Sequence, residues 1–218
     1  MGNAGVTRGF RAGPPGPEHV TTSQPPPLPT RKAPAKRLRR GVLIGLIVAV
    51  VVVLISFRPL RPFSVPTGAM APAIEAGDRV MMERVTFLVR KPHRGDIIVF
   101  RTDGIRSITP QERGSIYVKR IAGMPGERLD ISDGKVYIND KPVPLRNAVG
   151  EIDYLLPAGM GWPAFQTNVS VPSKQYHVLG DNSTNSYDSR SWGFVPAENV
   201  MGRVWFCYWP PNRVGRVR

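Results

Sequence analysis

The chain has 218 residues, carries 30 Lys and Arg against 16 Asp and Glu for a formal net charge of +14, and is 41% hydrophobic. That length admits one sizeable domain or two small ones, and the apolar content is ordinary for a globular core. Cys207 is the single cysteine and His19, His93 and His177 are scattered, which excludes an intrachain disulfide and leaves no Cys- or His-based metal motif.

Residues 1–40 are rich in proline, poor in large apolar side chains, and end in Arg31, Lys32, Lys36, Arg37, Arg39 and Arg40. Such a segment cannot bury enough surface to offset its ordering entropy, so a disordered tail is expected. From Gly41 to Phe57 runs an uncharged stretch dominated by Val, Ile and Leu. At about 1.5 Å per residue it reaches roughly 25 Å, the short end of a bilayer span. It is longer than the apolar part of a usual signal peptide, and the leader before it is too long for one. The Ala69-x-Ala71 pattern beyond it is followed by Pro72, which disfavours cleavage there. An uncleaved transmembrane helix is therefore expected. Six Lys and Arg precede the span closely, against Arg58 and Arg61 after it, so the tail is placed in the cytoplasm and residues 58–218 outside. Half of the net charge lies before Gly41, and a basic outer domain beside anionic lipid accounts for the rest without nucleic acid.

Beyond the anchor, short apolar or alternating runs predict strands at 79–82, 96–101, 115–122, 128–131, 135–138, 175–179 and 199–209. Asp133-Gly134 is a hairpin signal, and Asn139-Asp140 closes the next turn. No later stretch has a helical period of ten residues, so the class is mostly antiparallel β. Residues 141–174 hold many prolines and glycines with little alternation, which predicts a loop-rich functional segment or insertion.

Three blocks carry chemistry. In Tyr117-Val118-Lys119-Arg120 the alternation puts Lys119 on one face with Tyr117 and Ile121, where a lysine is rare unless paired or functional. The rival reading turns Arg120 inward and leaves Lys119 in solvent. For a lysine to act as a base near neutral pH its pKa must fall from about 10.4 to about 7, a cost of roughly 4 to 5 kcal/mol that burial can supply. The run Gly180-Asp-Asn-Ser-Thr-Asn-Ser-Tyr-Asp-Ser-Arg190 reads as an Asx-rich turn. Within it Asp188 and Arg190 could form a bidentate ion pair or simply be solvated. The earliest block is Pro66-Thr67-Gly68-Ala69-Met70.

In that order, behind one apolar anchor, these blocks resemble the bacterial type I signal peptidases, from Gly41 to Pro210. The resemblance implies a mostly β, antiparallel catalytic domain behind one transmembrane helix, held in the cytoplasmic membrane with its main domain outside. It implies a serine-type endopeptidase that removes signal peptides from exported preproteins after small-x-small motifs. Its partners would be signal peptides and the lipid bilayer, with no nucleic acid and no metal or organic cofactor. Lys119 matches the general base, and Gly123-Met124-Pro125-Gly126-Glu127 is similar to the family's Gly-x-Pro-Gly-Asp, with Glu127 for Asp. Ser186 matches a serine that hydrogen-bonds and orients the lysine amine. Asp181, Asp188 and Arg190 match structural residues, and Thr67 matches a residue that helps bind the oxyanion. Val65, Met70 and Val118 would line a shallow pocket for small side chains.

The family nucleophile is a serine immediately before the methionine of the first block, and here that position is Ala69. Thr67 is the available substitute. Residues i and i+2 of an extended segment face one side about 6.5 Å apart, and a shift of the loop would have to bring it within about 2.6 to 3.2 Å of the base. The competing expectation is an inactive homologue that binds signal peptides or assists an active paralogue. A self-cleaving Ser/Lys repressor would require an N-terminal DNA-binding domain in place of this tail and anchor.

Overall fold

The computed structural model describes residues 35–57, 60–155 and 168–218, with the isolated Gly9 and Gly13. Helix α1, Ala35–Phe57, begins six residues before Gly41 and so takes in the last basic residues of the expected tail. Ala35, Leu38 and the Lys/Arg residues between them are good helix formers, and no proline or glycine interrupts them before Gly41. Pro59 cannot continue the ladder past Phe57. The rest of the tail lies outside the described residues. Val42 to Ile44, Leu46 to Val48 and Val50 to Val53 are all exposed. Among the described residues no helix is long and apolar enough to cross a membrane.

The strands of the first sheet are β1 Leu60–Ser64, β2 Arg79–Glu83, β3 Ile97–Arg101, β4 Ile116–Gly123, β9 Gln175–Leu179, β10 Val195–Pro196, β11 Val200–Trp209 and β12 Gly215–Arg216. They follow the order β1-β2-β11-β3-β4-β9-β10, with β12 beside β11. A smaller sheet runs β7-β6-β5-β8, from β5 Arg128–Ser132, β6 Lys135–Ile138, β7 Lys141–Pro142 and β8 Val169–Ser170. Every paired strand is antiparallel. The seven expected strands are all present, with ends shifted by a residue at most. β1 was not expected because Pro62 interrupts it. As an edge strand it needs only one of its two rows of hydrogen bonds, and there proline is tolerated. Two single-turn helices, α2 Thr86–Val89 and α3 Ser189–Trp192, are too short to leave a period in the sequence.

The β5–β6 turn has Asp133 at φ 49° and Gly134 at φ 75°, the double left-handed geometry that Asp-Gly favours. Residues 141–174 do more than loop. Leu145, Ile152 and Tyr154 are buried and pack with Leu129, Ile131, Val136 and Ile138 of the small sheet. Residues 156–167 of that segment lie outside the described ones.

The first sheet is apolar on both faces. Ile97 and Val99 of β3 pack on one side with Val65, Met70 and Val80. Ile98 and Phe100 pack on the other with Ile121, Val178 and Trp192. A strand buried on both faces gives no alternation in its own sequence, which is why Ile97–Phe100 reads as a continuous apolar run.

Candidate active site

β4 is central to the sheet, and there it presents a lysine and an arginine consecutively. Both are buried, Lys119 at 6% and Arg120 at 2% exposure. The choice between them was a false one, because each has its own buried environment. The Arg120 guanidinium donates from Nε and Nη2 to the two carboxylate oxygens of Asp181 at 2.7 and 2.6 Å, and from Nη1 to the Gly95 carbonyl at 2.8 Å. Lys119 forms no salt bridge among the described residues. Its Nζ lies 5.5 Å from the centroid of the Tyr117 ring, and burial pushes its pKa below the ordinary lysine value, with Asp188 opposing the shift. Desolvation disfavours the ammonium form, so this is a lysine made ready to accept a proton.

Lys119 opens on a cleft of ≈460 Å³ that Val65, Thr67, Ala69, Met70 and Val118 also line. The residues expected to line the pocket and Ala69 therefore share one concavity with the lysine. Ala69 is 8% exposed and Met70 1%, while Thr67 is exposed. A turn holds this block. The Val65 N–H donates to the Asp78 carbonyl at 2.9 Å, and Ala71 and Ile74 close back on Gly68 and Met70. The Asp78 carboxylate is in turn held by Arg213 at 2.9 and 3.0 Å.

The loop 180–190 packs directly behind residue 69. The Asn182 main-chain N–H donates to the Ala69 carbonyl at 3.1 Å, and its side-chain amide donates to the Gly68 carbonyl at 3.1 Å. Gly180 is forced here, because a Cβ on it would collide with both Ser186 Oγ and the Ala69 carbonyl oxygen. Ser186 is thus adjacent to residue 69. Its Oγ is buried and has no hydrogen-bond partner among the described residues, so the bond to the Lys119 amine that would orient the base is not formed.

Asp188 and Arg190 are fully buried and paired through two parallel contacts, Nε to Oδ1 and Nη2 to Oδ2, each 2.9 Å. Asp188 also accepts from the Gly180 N–H at 3.0 Å, and Arg190 donates to the Ser183 carbonyl at 2.7 Å. Asp181 serves the same purpose from the other side through Arg120. One buried carboxylate–guanidinium pair, Arg120–Asp181, therefore ties the loop to β4, and the other, Asp188–Arg190, braces the loop internally. Glu127, the departure from the family's aspartate, accepts from the Met124 N–H at 2.7 Å and from Arg94 at 2.6 Å.

Sequence reasoning leaves three participants without their roles. Arg120 enters it only as the rival inward residue, and its partner Asp181 lies 61 positions away. Tyr117, two residues before Lys119 on the same face, forms a wall of the lysine's environment and donates from its hydroxyl to Glu112 at 2.6 Å. Glu112, in a short turn between β3 and β4, gives no signal in the sequence at all, yet it lines the cleft. Among the described residues no group of His, Cys, Asp or Glu could hold a metal ion.

Comparison with known proteins matches residues 38–209 to the family described as signal peptidase, peptidase S26. The chain is 34% identical to signal peptidase I of Leptolyngbya laminosa, over 90% of this chain and 93% of that protein. It is 30% identical to probable signal peptidase I-1 of Synechocystis, over 88% of this chain and 91% of the relative. It is 38% identical to probable signal peptidase I-2 of the same organism, over 69% of this chain but 64% of that one. The match spans all three blocks of the cleft, Ala69 included, and the chain belongs to the signal peptidase family, peptidase S26.

Proposed function

We propose that the chain is a type I signal peptidase, a membrane-bound endopeptidase that receives the signal peptides of exported preproteins and acts after small-x-small motifs. One observation carries the reading: a lysine buried to 6% exposure, in no salt bridge among the described residues and held below its ordinary pKa, opens on the same largely apolar cleft as residue 69. An extended peptide has a natural place there. β4 pairs with β9 only from Arg120 onward, which leaves the edge of Ile116–Val118 away from β3 without a ladder partner among the described residues. Backbone pairing along that edge supplies affinity, and the apolar lining by Val65, Met70 and Val118 restricts the side chain at the cleavage position. The apolar run of α1, exposed on all sides, supports a single-pass anchor with the basic tail inside and residues 58–218 outside.

Ala69 has no atom to attack with. In the acting form of this proposal the Thr67 hydroxyl adds to the scissile carbonyl carbon while Lys119 takes its proton. The resulting tetrahedral oxyanion collapses to a Thr67 ester as the amine leaves with that proton, and water then releases the acyl group. Ser186 would support Lys119, and the Asp181 and Asp188–Arg190 pairs would hold the loop. A second reading, favoured by Ala69 itself, is that the cleft recognises signal peptides without cutting them.

The test is cleavage of a preprotein by the purified full chain in detergent, compared with Ala69→Ser and Thr67→Val. Cleavage by the wild type that Thr67→Val abolishes supports the threonine route. No cleavage by the wild type, with rescue by Ala69→Ser, supports recognition alone. No cleavage by any of the three, and no peptide binding, refutes the signal-peptidase reading of the cleft.

A further inference from the structure

Among the described residues Glu112 is the only acidic side chain that lines the cleft. The chain as a whole is strongly basic, and most of its acids are matched, but Glu112 takes part in no salt bridge among the described residues. Its carboxylate is held in place by two hydroxyls. Tyr117 donates to Oε1 at 2.6 Å and Thr109 donates to Oε2 at 3.0 Å. A hydroxyl satisfies only one of the several lone-pair positions of a carboxylate, and neither neutralises its charge.

Two aromatic side chains, Tyr117 and Tyr187, line the cleft with it. The phenols of both are pushed above their ordinary range, chiefly by burial, with the Glu112 charge adding to the shift in each. A carboxylate fixed in a cleft that also holds two tyrosines is a combination that receives an alkyl ammonium or guanidinium: the aromatic side chains offer apolar cover for the aliphatic stem, and the acid neutralises the charge. The rest of the lining is largely apolar, so a basic side chain entering elsewhere would lose hydration without compensation. Lys119 feels the Glu112 charge but forms no salt bridge with it among the described residues.

We propose that Glu112, with Tyr117 and Tyr187, forms a subsite for one lysine or arginine side chain of the bound peptide. The selection of small residues at the cleavage position is thereby joined by selection of a positive charge at a neighbouring one. This rests on the cleft being the signal-peptide site. A peptide paired to the edge of β4 presents alternate side chains to one face, so a single position in register with Glu112 carries the preference.

The experiment uses the full chain in detergent and measures dissociation constants for fluorescent peptides built on one small-x-small sequence. Lysine, norleucine or glutamate is placed at each position in turn. One position is expected where lysine binds about 10-fold more tightly than norleucine and glutamate more weakly, with the gap narrowing as salt rises. Glu112→Gln, which keeps an acceptor for Tyr117, should bring lysine and norleucine to equal affinity. Glu112→Lys should turn the preference toward the glutamate peptide. Binding of all peptides within 2-fold at every position overturns the inference while leaving the signal-peptide reading intact. So does a lysine preference that survives Glu112→Gln, or an equal loss of lysine and norleucine peptides in that variant, which would mark Glu112 as purely structural. Failure of even the norleucine peptides to bind overturns the signal-peptide reading and the inference with it.

Discussion

Asn182 fixes the backbone at Ala69 with its main-chain N–H and the preceding carbonyl with its side-chain amide, both at 3.1 Å. Residue 69 therefore has a set position relative to the loop that the buried ion pairs anchor. In the Ala69→Ser background, Asn182→Ala should lower kcat by roughly 10- to 100-fold through misplacement of the new hydroxyl. Peptide affinity should change much less. Steady-state kinetics on a cleavable peptide reads the split, and an unchanged kcat would show that the grip on residue 69 is incidental.

Gly180→Ala puts a methyl group where Ser186 Oγ and the Ala69 carbonyl already lie. Two backbone segments and a side chain have to separate, so a loss of about 1–3 kcal/mol in stability is expected. Activity restored by Ala69→Ser should disappear. Thermal denaturation together with preprotein cleavage checks both.

Asp181→Asn leaves the Arg120 guanidinium buried with its charge uncompensated. Breaking such a pair from one side should cost about 3–5 kcal/mol. Arg120→Met combined with Asp181→Leu should recover much of that, because no buried charge then remains. Denaturant unfolding of the single and double variants distinguishes a charge effect from a packing one.

Burial holds the Lys119 pKa below its ordinary value, so between that lowered value and about 10.5 the unfolded chain binds a proton that the folded chain does not. Stability rises with pH across this window, and the cost is fully present below the folded pKa. Lys119→Met should be more stable than the wild type at neutral pH and should flatten the rise of Tm with pH. Cleavage by Ala69→Ser should rise with pH through the lowered lysine pKa as the amine becomes neutral.

His177, on β9, is 1% exposed with neither ring nitrogen hydrogen-bonded among the described residues, and burial lowers its pKa to about 4. The unfolded chain protonates it from about pH 6.5 downward and the folded chain only near 4. Stability is therefore lost as pH falls between those values, on the order of 3 kcal/mol in all. His177→Leu should show a smaller drop in Tm between pH 6.5 and 4.5 than the wild type, since the carboxylates titrate alike in both.

The strands were legible because each is bounded by turn chemistry and filled by β-branched or aromatic residues, as at Lys135–Ile138 between Asp133-Gly134 and Asn139-Asp140. β1 was not, since Pro62 breaks the pattern and only its edge position makes the proline acceptable. The three blocks were legible as local motifs. What the sequence withheld was pairing between distant residues: Arg120 with Asp181, 61 positions apart, and Asn182 with Gly68, 114 apart. No period or turn preference encodes such contacts. Glu112 lies in a turn whose composition suggests only solvent, and its place in the cleft depends on the strand that follows it.

Lys119 and Arg120 are neighbours with opposite requirements, one facing a cleft in which it forms no salt bridge among the described residues and the other paired to the buried Asp181 carboxylate. A slip of β4 by one residue exchanges the two faces. The guanidinium would then enter an apolar recess and Asp181 would meet a shorter, singly pointed ammonium or an aliphatic side chain. Misalignment of this strand is thus penalised by charge as well as by shape, and a chain that paired β4 wrongly would misplace Lys119 and lose the Arg120–Asp181 tie together. The same two letters of sequence that equip the cleft also proofread the alignment of the strand that carries it.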